Sequence, residues 1–81
     1  MKKELEFSEE AKNLKAGIYL HYKGNEYKVL GVAHHSETLE ELVIYQAQYS
    51  DFGLWARPLT MFTSTVEVEG KQVPRFAFRT E

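Results

Sequence analysis

Cysteine is missing from all 81 residues. That excludes a disulfide framework and any thiolate-ligated metal site, and it fits a reducing, cytoplasmic compartment. Long apolar runs are missing as well. No stretch approaches the ~20 residues of a membrane-spanning helix. The opening MKKELEFSEEAKN carries lysines but no apolar h-region, so a soluble intracellular protein with no membrane partner is expected. Nor does one sign of charge prevail: ten basic residues against twelve acidic ones leave a net charge of −2. This argues against a broad polyanion binder, which carries a basic excess on one face, but leaves room for a local basic spot. Arg57, Arg75 and Arg79 fall late in the chain, whereas Glu37, Glu40 and Glu41 crowd its middle. Internal repeats and low-complexity segments are also lacking.

What the chain does have is aromatic and β-forming. Five Phe, five Tyr and one Trp stand in a sequence that is 43% apolar, enough for one small core. Residues 1–16 read as an N-terminal arm or short helix: Ser8 is the candidate N-cap, Glu9 and Glu10 lie in the first turn, and Gly17 stands at the C′ position. Ala11, Leu14 and Phe7 supply its apolar side.

From Ile18 the pattern is one of strands. IYLHY leads through the turn KGNE, with Gly24 and Asn25 suited to positive φ, into YKVLGVAHH. Strict alternation there puts Tyr27, Val29, Gly31 and Ala33 on one face and Leu30 and Val32 on the other, with Gly31 able to host a bend or bulge. ELVIYQAQY, the turn SDFG and LWARPL follow, with Pro58 ending the pairing or marking an edge. LTMFTS suits a single 3₁₀ turn, and TVEVEGKQVPRFAF closes the chain as a hairpin around Gly70. Short strands at spacings of about ten residues, with no crossover helix, predict an all-β fold. The expected form is a small SH3-like antiparallel barrel of five or six strands over residues 17–81.

The pieces GIYLHYKG, AHHSET, LWARP, MF and RF, in this order over residues 17–76, resemble the bacterial DUF1653 family of unknown function. The resemblance rests on Gly17, Tyr19, His21, Tyr22, Lys23, Gly24, His35, Ser36, Glu37, Thr38, Trp55, Arg57, Pro58, Met61, Phe62, Arg75 and Phe76. His34 departs from it, standing where the family pattern leads one to expect arginine. The resemblance implies no reaction, but it does imply that HSET and LWxRP belong together.

The chemistry of these segments narrows the function. His35, Ser36 and Glu37 are sequence neighbours on alternating faces, so they cannot assemble a nucleophile–base–orienter triad. The H-x-E of zinc deaminases also needs a cysteine pair that is not there. A small metal- or His-dependent hydrolase could draw on His21, His35 and Glu37, two imidazoles and a carboxylate, as a facial ligand set. So short a barrel, however, encloses little volume from which to exclude water. The plainer account of HSET is a hairpin tip in which Ser36 and Thr38 cap the local backbone.

Trp55 and Arg57 share a strand face, placing an indole beside a guanidinium suited to carboxylate or phosphate. The favoured reading is a non-enzymatic binding module without a cofactor, its surface formed by His21, Tyr22, His35, Ser36, Glu37, Thr38, Trp55 and Arg57. Nucleic acid or a nucleotide leads as ligand, followed by a protein or peptide. If the two segments meet, Arg57 is expected to pair with Glu37, with Trp55 partly exposed beside His35.

Overall fold

A computed structural model describes residues 6–81, so the first five residues of the expected arm lie outside it. Ser8 caps helix α1 (Glu9–Asn13) by accepting from the Ala11 amide at 3.1 Å, with Glu9 and Glu10 in the first turn, as the local chemistry requires. The helix stops at Leu14, whose backbone is extended. Gly17 is therefore not a helix C′ residue. It opens strand β1 (Gly17–His21) with φ of 138°, and a Cβ there would lie 2.5 Å from the Thr80 carbonyl oxygen. Glycine is needed because the C-terminal backbone passes so close.

β2 (Glu26–His34), β3 (Glu41–Ala47) and β4 (Leu54–Pro58) follow by hairpins, and a single helical turn α2 (Leu59–Phe62) leads away from Pro58. β5 (Thr65–Val68) pairs with β6 (Lys71–Pro74), and β7 (Phe76–Thr80) returns to β1. The result is a five-stranded antiparallel sheet in the order β4-β3-β2-β1-β7 and a separate two-stranded hairpin. Seven strands are present among the described residues where five or six were expected. The difference arises at Arg75. Its amide donates to the Ser64 carbonyl and its carbonyl accepts from the Tyr22 amide, each at 3.0 Å, which divides the last apolar run into a hairpin and a returning strand.

The expected alternation along β2 also breaks. Val29 pairs with Tyr45 and Gly31 with Ile44, so Leu30 is an extra residue on the β2 side. Beyond this bulge the phase reverses. Val32, not Gly31 or Ala33, joins Tyr27 and Val29 against the core, and Leu30 is exposed. The site of the irregularity beside Gly31 matches the sequence; the assignment of faces beyond it does not.

One face of the sheet carries Tyr19, Val29, Val43 and Tyr45 into a core completed by Leu59, Phe62, Phe76 and Ala11. Phe62 stacks on Phe76 with centroids 4.1 Å apart, so α2 contributes its ring to the sheet's centre. The arm docks at the other end. Ser8 donates from its amide and its hydroxyl to Glu41, both at 2.7 Å, and Phe7 stacks on His34 at 4.2 Å. These backbone and hydroxyl bonds hold the Glu41 carboxyl below its ordinary range. Among the described residues no helix is long and apolar enough to cross a membrane.

Candidate ligand-binding surface

The HSET segment is a turn that completes itself. The His35 amide donates to the Glu40 carbonyl at 2.7 Å and the Leu39 amide to the His35 carbonyl at 2.9 Å. Nδ1 of His35 accepts from the amides of Glu37 (3.1 Å) and Thr38 (3.2 Å), while Thr38 Oγ1 accepts from Glu40. The imidazole thus does what an Asx side chain does at such a turn, satisfying amides that it leaves unpaired. Leu39 takes the positive φ of 65° that closes the loop. Ser36, Glu37 and Thr38 stay exposed.

His21 stands at the opposite end of β2. Its Nδ1 accepts from the Lys23 amide at 3.2 Å in the β1–β2 turn. The nine residues of β2 separate this turn from His35, a run of roughly 25 Å at ~3.3 Å per residue. The set His21, His35 and Glu37 is therefore not assembled, and among the described residues no three metal-ligating side chains converge.

Around His21 the surroundings are aromatic and cationic. Its ring packs against Tyr22 (4.6 Å), Phe76 (4.8 Å) and Tyr27 (6.2 Å), and the Lys23 ammonium lies 5.9 Å from the Tyr22 ring centre. A groove of about 300 Å³ runs beside the turn, lined by Leu20, His21, Tyr22, Val73 and Ala77 among others. Burial, then Arg57, Arg75 and Lys23, push the His21 pKa down. The charged groups that perturb it are all cations.

Arg57 supplies the first of those charges. It stands on β4 opposite Val43, two places from Trp55, which stands opposite Tyr45. Its Nε donates to the Tyr45 hydroxyl at 3.2 Å, and its guanidinium carbon lies 5.6 Å from the Phe76 ring centre. The expected pairing with Glu37 is not made; among the described residues the one ion pair joins Lys12 to Glu9 at 3.8 Å. Arg57 is thus oriented by a phenol and a ring face, with no carboxylate paired to it among the described residues. Trp55 remains 57% exposed on the same strand face. Arg75 is held through Nε by Ser64 Oγ at 3.1 Å.

Beyond Tyr45, Tyr27 and Tyr49 share a hydrogen bond of 2.6 Å between their hydroxyls. Burial, then this bond, pushes the Tyr27 pKa up to about 12. Tyr45 and Phe76 were not among the candidate surface residues. Their part in orienting Arg57 depends on cross-strand pairing and on β7 crossing back to β1, which no local spacing reveals.

The family model described as a protein of unknown function, DUF1653, matches residues 17–78. The chain belongs to the DUF1653 family. A crystal structure of a DUF1653 protein from Bordetella bronchiseptica is similar at 35% identity and a TM-score of 0.79, over 85% of this chain and 91% of that one. No curated protein matches. The DUF1653 match includes both histidine turns and all of β4, and excludes α1. Of the LWARP segment, Arg57 reaches the aromatic surroundings of His21 through Phe76. HSET forms the far turn.

Proposed function

We propose that this DUF1653 protein is a cytoplasmic, non-enzymatic binding module whose aromatic and cationic surface takes a nucleotide-type ligand, single-stranded nucleic acid foremost. The architecture we infer for it is an SH3-like barrel left partly open along β4. The observation that carries the reading is Arg57: half-buried, oriented by Tyr45 and Phe76, and without a carboxylate partner among the described residues. A preoriented guanidinium of this kind suits phosphate oxygens, and the exposed indole of Trp55 offers a face on which a base can stack. His21 and Tyr22 border a groove with Leu20, Val73 and Ala77, and Lys23 and Arg75 add positive charge near His21. A protein or peptide ligand is the second reading, since an aromatic surface beside an unpaired arginine also suits an acidic peptide.

Trp55 is the chain's one tryptophan, so its fluorescence reports on this surface directly. Titration with a short single-stranded RNA should quench it, and affinity should fall with salt with a log–log slope of about −0.7 per phosphate engaged. Arg57→Ala should weaken binding by about tenfold or more while costing about 1.5–3 kcal/mol of stability, the scale of one lost charge-assisted hydrogen bond. Quenching by an acidic peptide but by no oligonucleotide or nucleotide would move the second reading to first place.

A further inference from the structure

We infer that β4 is the seam of a symmetric homodimer, in which two copies pair antiparallel through Leu54–Pro58 and set Trp55 of each against Arg57 of the other. The two edges of the sheet differ in protection. β7 ends in Arg79 and Thr80, whereas β4 exposes Leu54 (65%), Trp55 (57%) and Ala56 and carries no charge before Arg57. Among the described residues no strand pairs with its outer side. An uncovered apolar edge invites uncontrolled strand addition, so one of this kind needs a cover.

The ladder shows which backbone groups are free. The Ala47 amide donates to the Gly53 carbonyl at 2.9 Å, and hydrogen-bonded pairs alternate along an antiparallel ladder. Gly53, Trp55 and Arg57 therefore turn their backbone groups toward β3, and Leu54, Ala56 and Pro58 turn theirs outward. Pro58, which has no amide hydrogen, fits this phase because β3 asks no donor of it.

A two-fold axis through Ala56 then fixes every partner. Ala56 meets Ala56, Leu54 meets Pro58, and Trp55 meets Arg57. Ala56 amides and carbonyls bond reciprocally and each Leu54 amide reaches the opposite Pro58 carbonyl, four hydrogen bonds in all on the ladder rule. Trp55 and Arg57 lie on one face and approach as a cross-strand pair, placing a guanidinium against an indole twice. An axis through Arg57 would oppose like charges, and one through Trp55 would leave Arg57 facing Gly53. The Ala56 register is the one in which ring and cation complement each other, and this self-complementarity favours a second copy over a foreign strand. Such a contact is closed and isologous, so it consumes the edge. It is also small, which predicts a weak dimer with a Kd on the order of tens of micromolar.

The dimer draws on the same Trp55 and Arg57 as the ligand reading, so ligand and second copy compete for them, and the inference is tested without ligand. Sedimentation velocity from about 5 µM to about 1 mM should show a reversible monomer–dimer equilibrium. Ala56→Pro, which removes an outward donor and spares the β3 ladder, should abolish it, and Trp55→Ala should weaken it about tenfold. Should the proline variant not fold, amide exchange on the unaltered chain decides. Leu54 and Ala56 amides should gain protection with protein concentration, while those of Trp55 and Arg57 stay protected throughout. A monomer at every concentration, a dimer that survives Ala56→Pro, or concentration-independent exchange at Leu54 and Ala56 would overturn it. So would capture of a foreign peptide on this edge by a chain that never self-associates.

Discussion

The two turns that bound β2 are built on the same device and do different things. In each a histidine closes the preceding strand and turns Nδ1 onto the amide two residues later, Lys23 for His21 and Glu37 for His35. The His35 turn then bonds almost entirely within itself. The His21 turn leans on Tyr22, Tyr27 and Phe76 and gathers three cations. Histidine as a turn former explains both positions; only at His21 do neighbouring side chains retain capacity beyond what folding uses. Sequence polarity drew attention to the first turn, while the unbalanced charge lies at the second.

The sharpest way to break this contrast is to remove the aromatic support. Phe76 stacks on Phe62 and touches His21, Tyr27 and Tyr45. Phe76→Ala should cost about 3–5 kcal/mol in urea denaturation and should also release Arg57 from its ring face. A cost below about 1 kcal/mol would mean that the cluster is not part of the core.

Next come the histidines themselves. His21→Ala should cost about 1–2 kcal/mol, since ring packing goes with the turn bond, and His35→Ala about 0.5–1 kcal/mol, since water can replace an exposed cap. Equal costs would erase the distinction. Their pH dependence sharpens it. With the folded His21 pKa below 6.5, the unfolded chain takes up the proton first. Its contribution is complete above about pH 6.5 and is lost as pH falls through the lowered folded value. His21→Asn, which keeps an acceptor but does not titrate, should flatten that slope.

The smallest effect concerns the phenol pair. With Tyr27 at about 12, its contribution to stability is complete below about pH 10, where unfolded tyrosine ionises, and is lost as pH rises through the folded value. Tyr49→Phe removes the shared hydrogen bond and should bring the most resistant phenol in an ultraviolet titration down toward the others. An unchanged midpoint for that most resistant phenol would show that burial alone holds Tyr27.

What could be read from the sequence was whatever is decided locally. Ser8 capping α1, the Gly24 turn (φ 107°), the Gly70 hairpin (φ 80°) and Pro58 at the end of an edge strand all follow from the backbone needs of single residues. Gly17 was misplaced because a glycine with positive φ serves a helix end and a tight backbone crossing equally well, and the crossing chain is Thr80, far away in sequence. The same limit governed the surface. Trp55 and Arg57 on one face followed from strand alternation, but the guanidinium's partner had to be found across the sheet. Tyr45 is twelve residues away and offers a neutral hydroxyl, where charge matching had pointed to Glu37.

The extra residue at Leu30 has a consequence for how DUF1653 chains vary. Because Val29 already pairs with Tyr45 and Gly31 with the adjacent Ile44, excising Leu30 would leave every other rung and every inward side chain where it is. Removing a residue farther along β2 would turn the residues between it and the bulge to the other face. Aligned relatives should therefore show their one-residue gaps at this position: the bulge is a joint at which the chain can change length without rewriting its pairings.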